Sequence, residues 1–395
     1  MKSLPLLALA LALVAHAAAA DPLRLRADAL ATTASPAGLL VLDASGAAQP
    51  GLSAEAVVWL AGGAALPGTP GDSSHGDVLV IAIDAHTPGG MAAARLGRFV
   101  VALGALRPEH LDGGSARLQL PQRFVVEAAA GVPVMPGLTM DRALGWVAAS
   151  RVSRRFGDWG SAGIAYEQRR DDGQLVTEEL AADAGMALGR RDDLGARIAY
   201  DVANPGLAEV ALTASHRSEH VRAELYASHR AASHLLPATS LFSVIGDVPA
   251  QRAGAVITWA AAPRLDVIAD AGARRVDADI SPELVGRARL KLDDRGASAI
   301  SAELRRSGVA GEAWTGARAA ARIALSHRLV ASTELELVRP DEPRGRGTLW
   351  PWALGALSWD RGDWQSAIAV EASASPEYRS RVDVLFQLSR RWGTP

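Results

Sequence analysis

The chain has 395 residues, a formal net charge of −2, 49% hydrophobic and 21% charged residues, and no cysteine. The lack of thiols excludes disulfides, thiolate metal sites and a lipid anchor on cysteine. The near-neutral balance gives no reason to expect a nucleic-acid partner.

Residues 1–20 read as a secretory signal peptide: Lys2, an apolar run from Leu4 to Val14, and small residues at Ala18-Ala19-Ala20. The apolar run is short for a membrane anchor helix. Residues 21–395 contain no later apolar stretch long enough for such a helix, and are read as one domain.

From 21 to 142 the spacing predicts seven strands: 23–31, 38–44, 52–61, 76–85, 93–101, 112–120 and 123–132. In the fourth, Leu79, Ile81, Ile83 and Ala85 alternate with Val78, Val80, Ala82 and Asp84. From 143 to 392 the alternation is clearer and predicts fifteen more. In 194–202, Leu194, Ala196, Ile198, Tyr200 and Val202 share one face, and Gly195, Arg197, Ala199 and Asp201 the other. In 283–292, Arg287, Arg289 and Lys291 lie opposite Leu284, Leu290 and Leu292. A helix would spread these three cations around a cylinder, whereas a strand collects them on one side. Asp171-Asp172-Gly173, Asn204-Pro205-Gly206, Asp293-Asp294-Arg295-Gly296 and Asp360-Arg361-Gly362 supply turn chemistry.

These segments are about ten residues long, the length that crosses a bilayer at a tilt. The predicted fold is all-β: a transmembrane antiparallel up-and-down barrel of about 22 strands, within a range of 16 to 22. The five longest connections, 62–75, 102–111, 133–142, 231–250 and 339–348, all fall in the odd class. That is the extracellular class if the chain starts in the periplasm. The loop 231–250 is unusually apolar, with Leu235, Leu236, Leu241, Phe242, Val244, Ile245 and Val248. The ten tryptophans lie near strand ends, where a headgroup girdle would place them.

The last strand resembles the C-terminal signal strand of outer-membrane barrels. Tyr378, Ser380, Val382, Val384, Phe386, Leu388 and Trp392 share one face, although Arg390 interrupts it and Gly393-Thr394-Pro395 follow it. The resemblance implies that Val384, Phe386, Leu388 and Trp392 are read by the barrel assembly machinery. Residues 93–135 are similar to a unit of alginate-export-type porins: Arg95, Gly97, Arg98, Gly104, Arg107, Asp112-Gly113, Val126-Glu127 and Pro133-Val134. That likeness, over about a tenth of the chain, implies arginines lining a narrow pore and carries no substrate.

The inward register is charged. Candidate pore-lining residues are Arg197, Arg222, Arg274, Arg287, Arg289, Lys291, Arg318, Arg322, Glu334 and Glu336, with Arg287, Arg289, Lys291, Arg318 and Arg322 expected to form a basic wall facing the two glutamates. Arg381, Asp201, Glu224, Asp266, Asp270, Glu371 and Asp383 share that register. His216 and His220 flank a turn and do not form a zinc pair on a helix face. There is no Gly-x-Ser-x-Gly elbow and no phosphate loop, so no enzyme and no cofactor are expected. The first functional reading is a passive, porin-like outer-membrane channel for small polar or anionic solutes, surrounded by outer-membrane lipid. The alternatives are a non-conducting barrel that binds a partner through its outer loops, and a soluble secreted β-protein.

Overall fold

The structure is a computed structural model. It describes residues 24–33, 37–63, 74–134, 145–231, 249–276, 278–308, 313–342, 348–374 and 380–393. The signal-peptide segment, Tyr378 and the apolar stretch 232–248 lie outside the described residues.

Twenty-two strands follow one another: β1 Arg24–Thr32, β2 Ala37–Gln49, β3 Leu52–Gly63, β4 Ser74–His86, β5 Ala92–Val101, β6 Glu109–Leu120, β7 Phe124–Pro133, β8 Trp146–Phe156, β9 Gly160–Asp171, β10 Gln174–Leu188 and β11 Asp192–Asp201. The second half is β12 Gly206–Arg217, β13 Val221–Arg230, β14 Ala250–Ala262, β15 Leu265–Val276, β16 Asp279–Lys291, β17 Ala299–Ser307, β18 Trp314–Ala324, β19 Leu329–Pro340, β20 Trp350–Arg361, β21 Trp364–Ser373 and β22 Arg381–Trp392. Each pairs antiparallel with the next, and β22 closes on β1 from Leu25↔Trp392 to Thr32↔Leu385. Closure leaves the sheet without edges, which is how a β-structure satisfies its backbone in lipid.

The turns explain the tight reversals. At β9–β10, Asp172 and Gly173 have φ of 49° and 77°, the pair of positive angles that a type I′ hairpin turn requires. The expected faces are also seen. Ile164, Leu225, Leu284, Leu290 and Leu335 are exposed on the outside, while Ala199, Glu179, Asp201 and Glu303 are buried on the inside. A soluble core would invert this, so the outer apolar band marks the surface as one made for lipid.

The tryptophans divide between the faces. Trp146, Trp259, Trp359, Trp364 and Trp392 are in the outward register, and Trp159 sits in an exposed turn. Trp59, Trp314, Trp350 and Trp352 are in the inward register and correct the expectation of a girdle built from all ten. Inside, Trp352 Nε1 donates to Glu371 Oε1 at 2.7 Å, and the Arg305 guanidinium lies 5.5 Å from the Trp314 ring centroid. Lumenal carboxylates and cations supply partners that lipid cannot. The outward Arg390 lies 4.6 Å from each of the Trp364 and Trp392 ring centroids. Stacking between two indoles gives this cation a place within the aromatic belt.

Candidate functional site: the charged lumen and its inward hairpin tip

The connection between β5 and β6 folds inward. Leu103, Ala105, Leu106 and Arg107 are all buried. Their apolar side chains cluster with inward alanines of six consecutive strands: Ala129, Ala149, Ala165, Ala181, Ala199 and Ala208. Alanine leaves room on the wall for a second layer of chain, and each fully buried leucine contributes roughly 1.5–3 kcal/mol. Gly104, at φ 61°, lies directly on the side chains of Arg151 and Asp183, where a Cβ would collide with them. Below it Arg151 is held by Asp183 at 2.7 Å and Glu127 at 2.9 Å.

Above the alanine row runs a carboxylate row. Ala149 pairs with Glu167, Glu167 with Glu179, and Glu179 with Asp201, directly across neighbouring strands. The tip answers it with complementary charges. Arg107 Nε is 3.1 Å from Glu179 Oε1, and its Nη2 donates to Thr177 Oγ1 at 3.1 Å. Two residues on, Glu109 lies 3.9 Å from Arg169 of the wall. One cation and one anion of the tip thus meet one anion and one cation of the barrel. Buried charges are tolerated where each has such a partner.

The base of the same hairpin carries an irregularity. β4 and β5 pair only from Ile81↔Arg98 to His86↔Ala93, so the far half of β4 has no ladder to β5. Side chains take its place. Arg98 donates to Val78 O at 3.0 Å and pairs with Asp112 at 2.7 Å and Asp77 at 3.3 Å. His110 Nε2 lies 2.7 Å from Leu79 O. Arg98 falls in the outward register, between the exposed Leu96 and Val100. It therefore seals the seam and does not line the pore, whereas Arg95, inward, pairs with Glu55 at 2.8 Å.

The candidate lining residues are on the lumenal side, but many do not face open water alone. Arg287 pairs with Glu303, Lys291 with Asp266 at 2.9 Å, and Arg318 with Glu334 at 2.5 Å. Glu336 is taken by Arg305 at 2.5 Å, Arg197 pairs with Glu209 at 2.5 Å, and Arg222 with Glu224 at 3.3 Å. The expected basic wall is therefore largely a lattice of ion pairs. Among the described residues, no carboxylate stands within ion-pair distance of Arg289, Arg322 or Arg274. The sequence reading missed the carboxylates Glu303 and Glu209 and the inward course of 102–108. The apolar Leu103-Gly104-Ala105-Leu106 just before Arg107 was the available signal, since a connection meant for water is polar. Among the described residues no group of three or more metal-ligating side chains is placed to hold an ion, and His216 Nδ1 contacts Asp192 at 2.6 Å.

No protein-family model and no curated protein matches this sequence. Solved structures do. The P pilus usher (PapC) translocation pore is similar with a TM-score of 0.52 at 11% identity, covering 95% of this chain and 99% of that one. An Escherichia coli P pilus tip assembly intermediate containing PapC aligns with a TM-score of 0.57 at 11% identity, over 93% of this chain and 60% of that one. A ferric enterobactin receptor, PfeA, from Pseudomonas aeruginosa aligns with a TM-score of 0.58 at 9% identity, over 94% of this chain and 80% of that one. At these identities the likeness is one of fold. The chain is a closed 22-stranded antiparallel β-barrel of the outer-membrane type.

Proposed function

We propose that this barrel is a passive outer-membrane channel for small polar or anionic solutes, without cofactor or catalytic activity. The observation that supports this reading is what fills the lumen. A ring of 22 strands encloses more space than its own side chains fill, and barrels of that size conduct unless something plugs them. Among the described residues, the connection that folds into the lumen is the tip 102–108. The tip 102–108 lies flat on the wall of β7–β12 and narrows the lumen from one side. The remaining inner surface is a lattice of arginines and carboxylates, the kind of lining that keeps a channel wet and tunes its charge preference.

The signal peptide and the β22 face of Val384, Phe386, Leu388 and Trp392 support delivery through the periplasm and recognition by the barrel assembly machinery. Deleting 380–392 should leave unassembled protein in the periplasm.

The test of the channel is conductance of the purified protein in a planar bilayer. Stable ohmic steps are expected, larger when Arg107→Ala frees the tip. Silence from both proteins would sink the channel reading and favour a non-conducting scaffold that binds through its outer loops.

A further inference from the structure

The ion-pair lattice leaves a gap on the wall opposite the tip. Arg289 of β16 and Arg322 of β18 line one cavity of about 230 Å³. Between the two arginines β17 contributes Ala299, Ile300 and Ser301 and β18 adds Ala320 and Ala321, and the inward members Ala299, Ser301 and Ala320 are small, so the floor is shallow. The register explains the convergence. Arg289 stands opposite Ser301 and Arg322 opposite Ala299 and Ser332, two strands apart and one inward step along the barrel. Side chains as long as arginine span that separation from both sides.

The carboxylates near this cavity are already engaged. Asp266, directly across from Arg289, is held by Lys291 at 2.9 Å. Glu334, which also lines the cavity, is held by Arg318 at 2.5 Å. Thr333 Oγ1 donates to Leu354 O at 3.1 Å. The Ser301 and Ser332 hydroxyls remain beside the two guanidinium groups, and both arginines are exposed to the lumen.

We infer that Arg289 and Arg322, with Ser301 and Ser332, form a lumenal binding site for small oxyanions, carboxylate or phosphate. The inference rests on the reading of the lumen as a conducting path and names the solute class which that path retains. A guanidinium offers a planar pair of donors that matches either oxyanion, and a hydroxyl adds a further donor at the rim. Two cations facing one another across a small-residue floor hold a doubly charged anion better than a monovalent one. The water-filled lumen keeps the attraction screened, so the solute can leave as well as enter.

The experiment has two arms. In a planar bilayer, chloride current through the wild type is measured as inorganic phosphate or succinate is added. In detergent, binding of the same anions to the folded barrel is measured by calorimetry, with heat-modifiable gel mobility as the control for folding. Both anions should reduce the chloride current and bind. The double variant Arg289→Gln with Arg322→Gln should lose at least tenfold in apparent affinity, and the double lysine variant should recover part of it. Arg287→Gln, which removes an already paired cation, should change affinity less than threefold. Succinate acting without phosphate, or the reverse, would still support the site and assign its source. Chloride conductance that neither anion affects, or a block that survives the double variant, would overturn the site and leave the channel standing. Binding lost in the double variant with no conductance in any protein would overturn the channel and keep the site.

Discussion

Arg107, at the tip of the β5–β6 hairpin, meets Glu179, in the middle of β10, at 3.1 Å with both side chains buried inside the barrel. Seventy-two positions separate them in the chain. The contact joins the tip to a wall whose neighbouring residues Glu167 and Asp201 are also acidic, so Arg107 offsets a charge excess as well as anchoring a loop.

Arg107→Ala should therefore release the tip. Leaving a buried carboxylate without its cation costs about 3–5 kcal/mol, comparable with what burial of Leu103 and Leu106 contributes. Hydrogen exchange of amides 102–107 should rise at least tenfold while that of β15–β20 stays unchanged. Unaltered protection of 102–107 would show that the alanine wall holds the tip by itself.

The seam between β4 and β5 should be the weakest point of the wall. Arg98→Leu keeps an apolar outer surface but removes the donor to Val78 O and the partner of Asp77 and Asp112. The folded, heat-modifiable form should melt several degrees lower, with exchange rising first at 76–80. A variant as stable as the wild type would mean that the backbone of β4 finds other partners there.

Substitution by arginine should distinguish three environments. At Leu284, Leu290, Ile323 or Val384, on the lipid face, the cost near the midplane should be roughly 2–4 kcal/mol. At Ala320, which borders the lumenal cavity, it should be small. Ala199 is inward too, and by register alone it should behave like Ala320. It is fully buried in the cluster beneath the tip, so Ala199→Arg should fold as a barrel but displace 102–108. Folding free energies from urea titration into lipid vesicles, with exchange on the tip, separate the three. Equal costs at Leu284 and Ala320 would refute the register.

The β16–β17 turn should loosen in acid. The Asp293 carboxylate accepts from the Ser298 and Ala297 backbone N–H groups at 2.6 and 3.0 Å, which hold it below its ordinary value of 3.8. A depressed carboxylate contributes its stabilisation fully above its unfolded value and loses it as pH falls through the folded one. Order at 292–298 should thus be constant above about pH 5 and decline below pH 4. Asp293→Asn should flatten this profile. An unchanged acid transition in the variant would assign it to other carboxylates.

Period-two alternation makes the architecture legible in the sequence, because on a lipid-facing wall every second side chain must be apolar. Segments such as 194–202 and 283–292 therefore announce both the strand and its faces. Turn chemistry added the reversals, as at Asp172-Gly173. Charge type at the inward positions was equally readable, but pairing was not. Whether Arg287 is free depends on Glu303 across the ladder, and Asp266, directly across from Arg289, is taken by Lys291 instead. Those are questions of register and reach, which a one-dimensional pattern does not contain. The same holds for the tryptophans, four of which turn inward to partners on other strands, and for the tip. Leu103, Leu106 and Arg107 are apolar and basic in the sequence, yet only closure of the barrel brings an alanine row and a carboxylate row from β7–β12 to receive them.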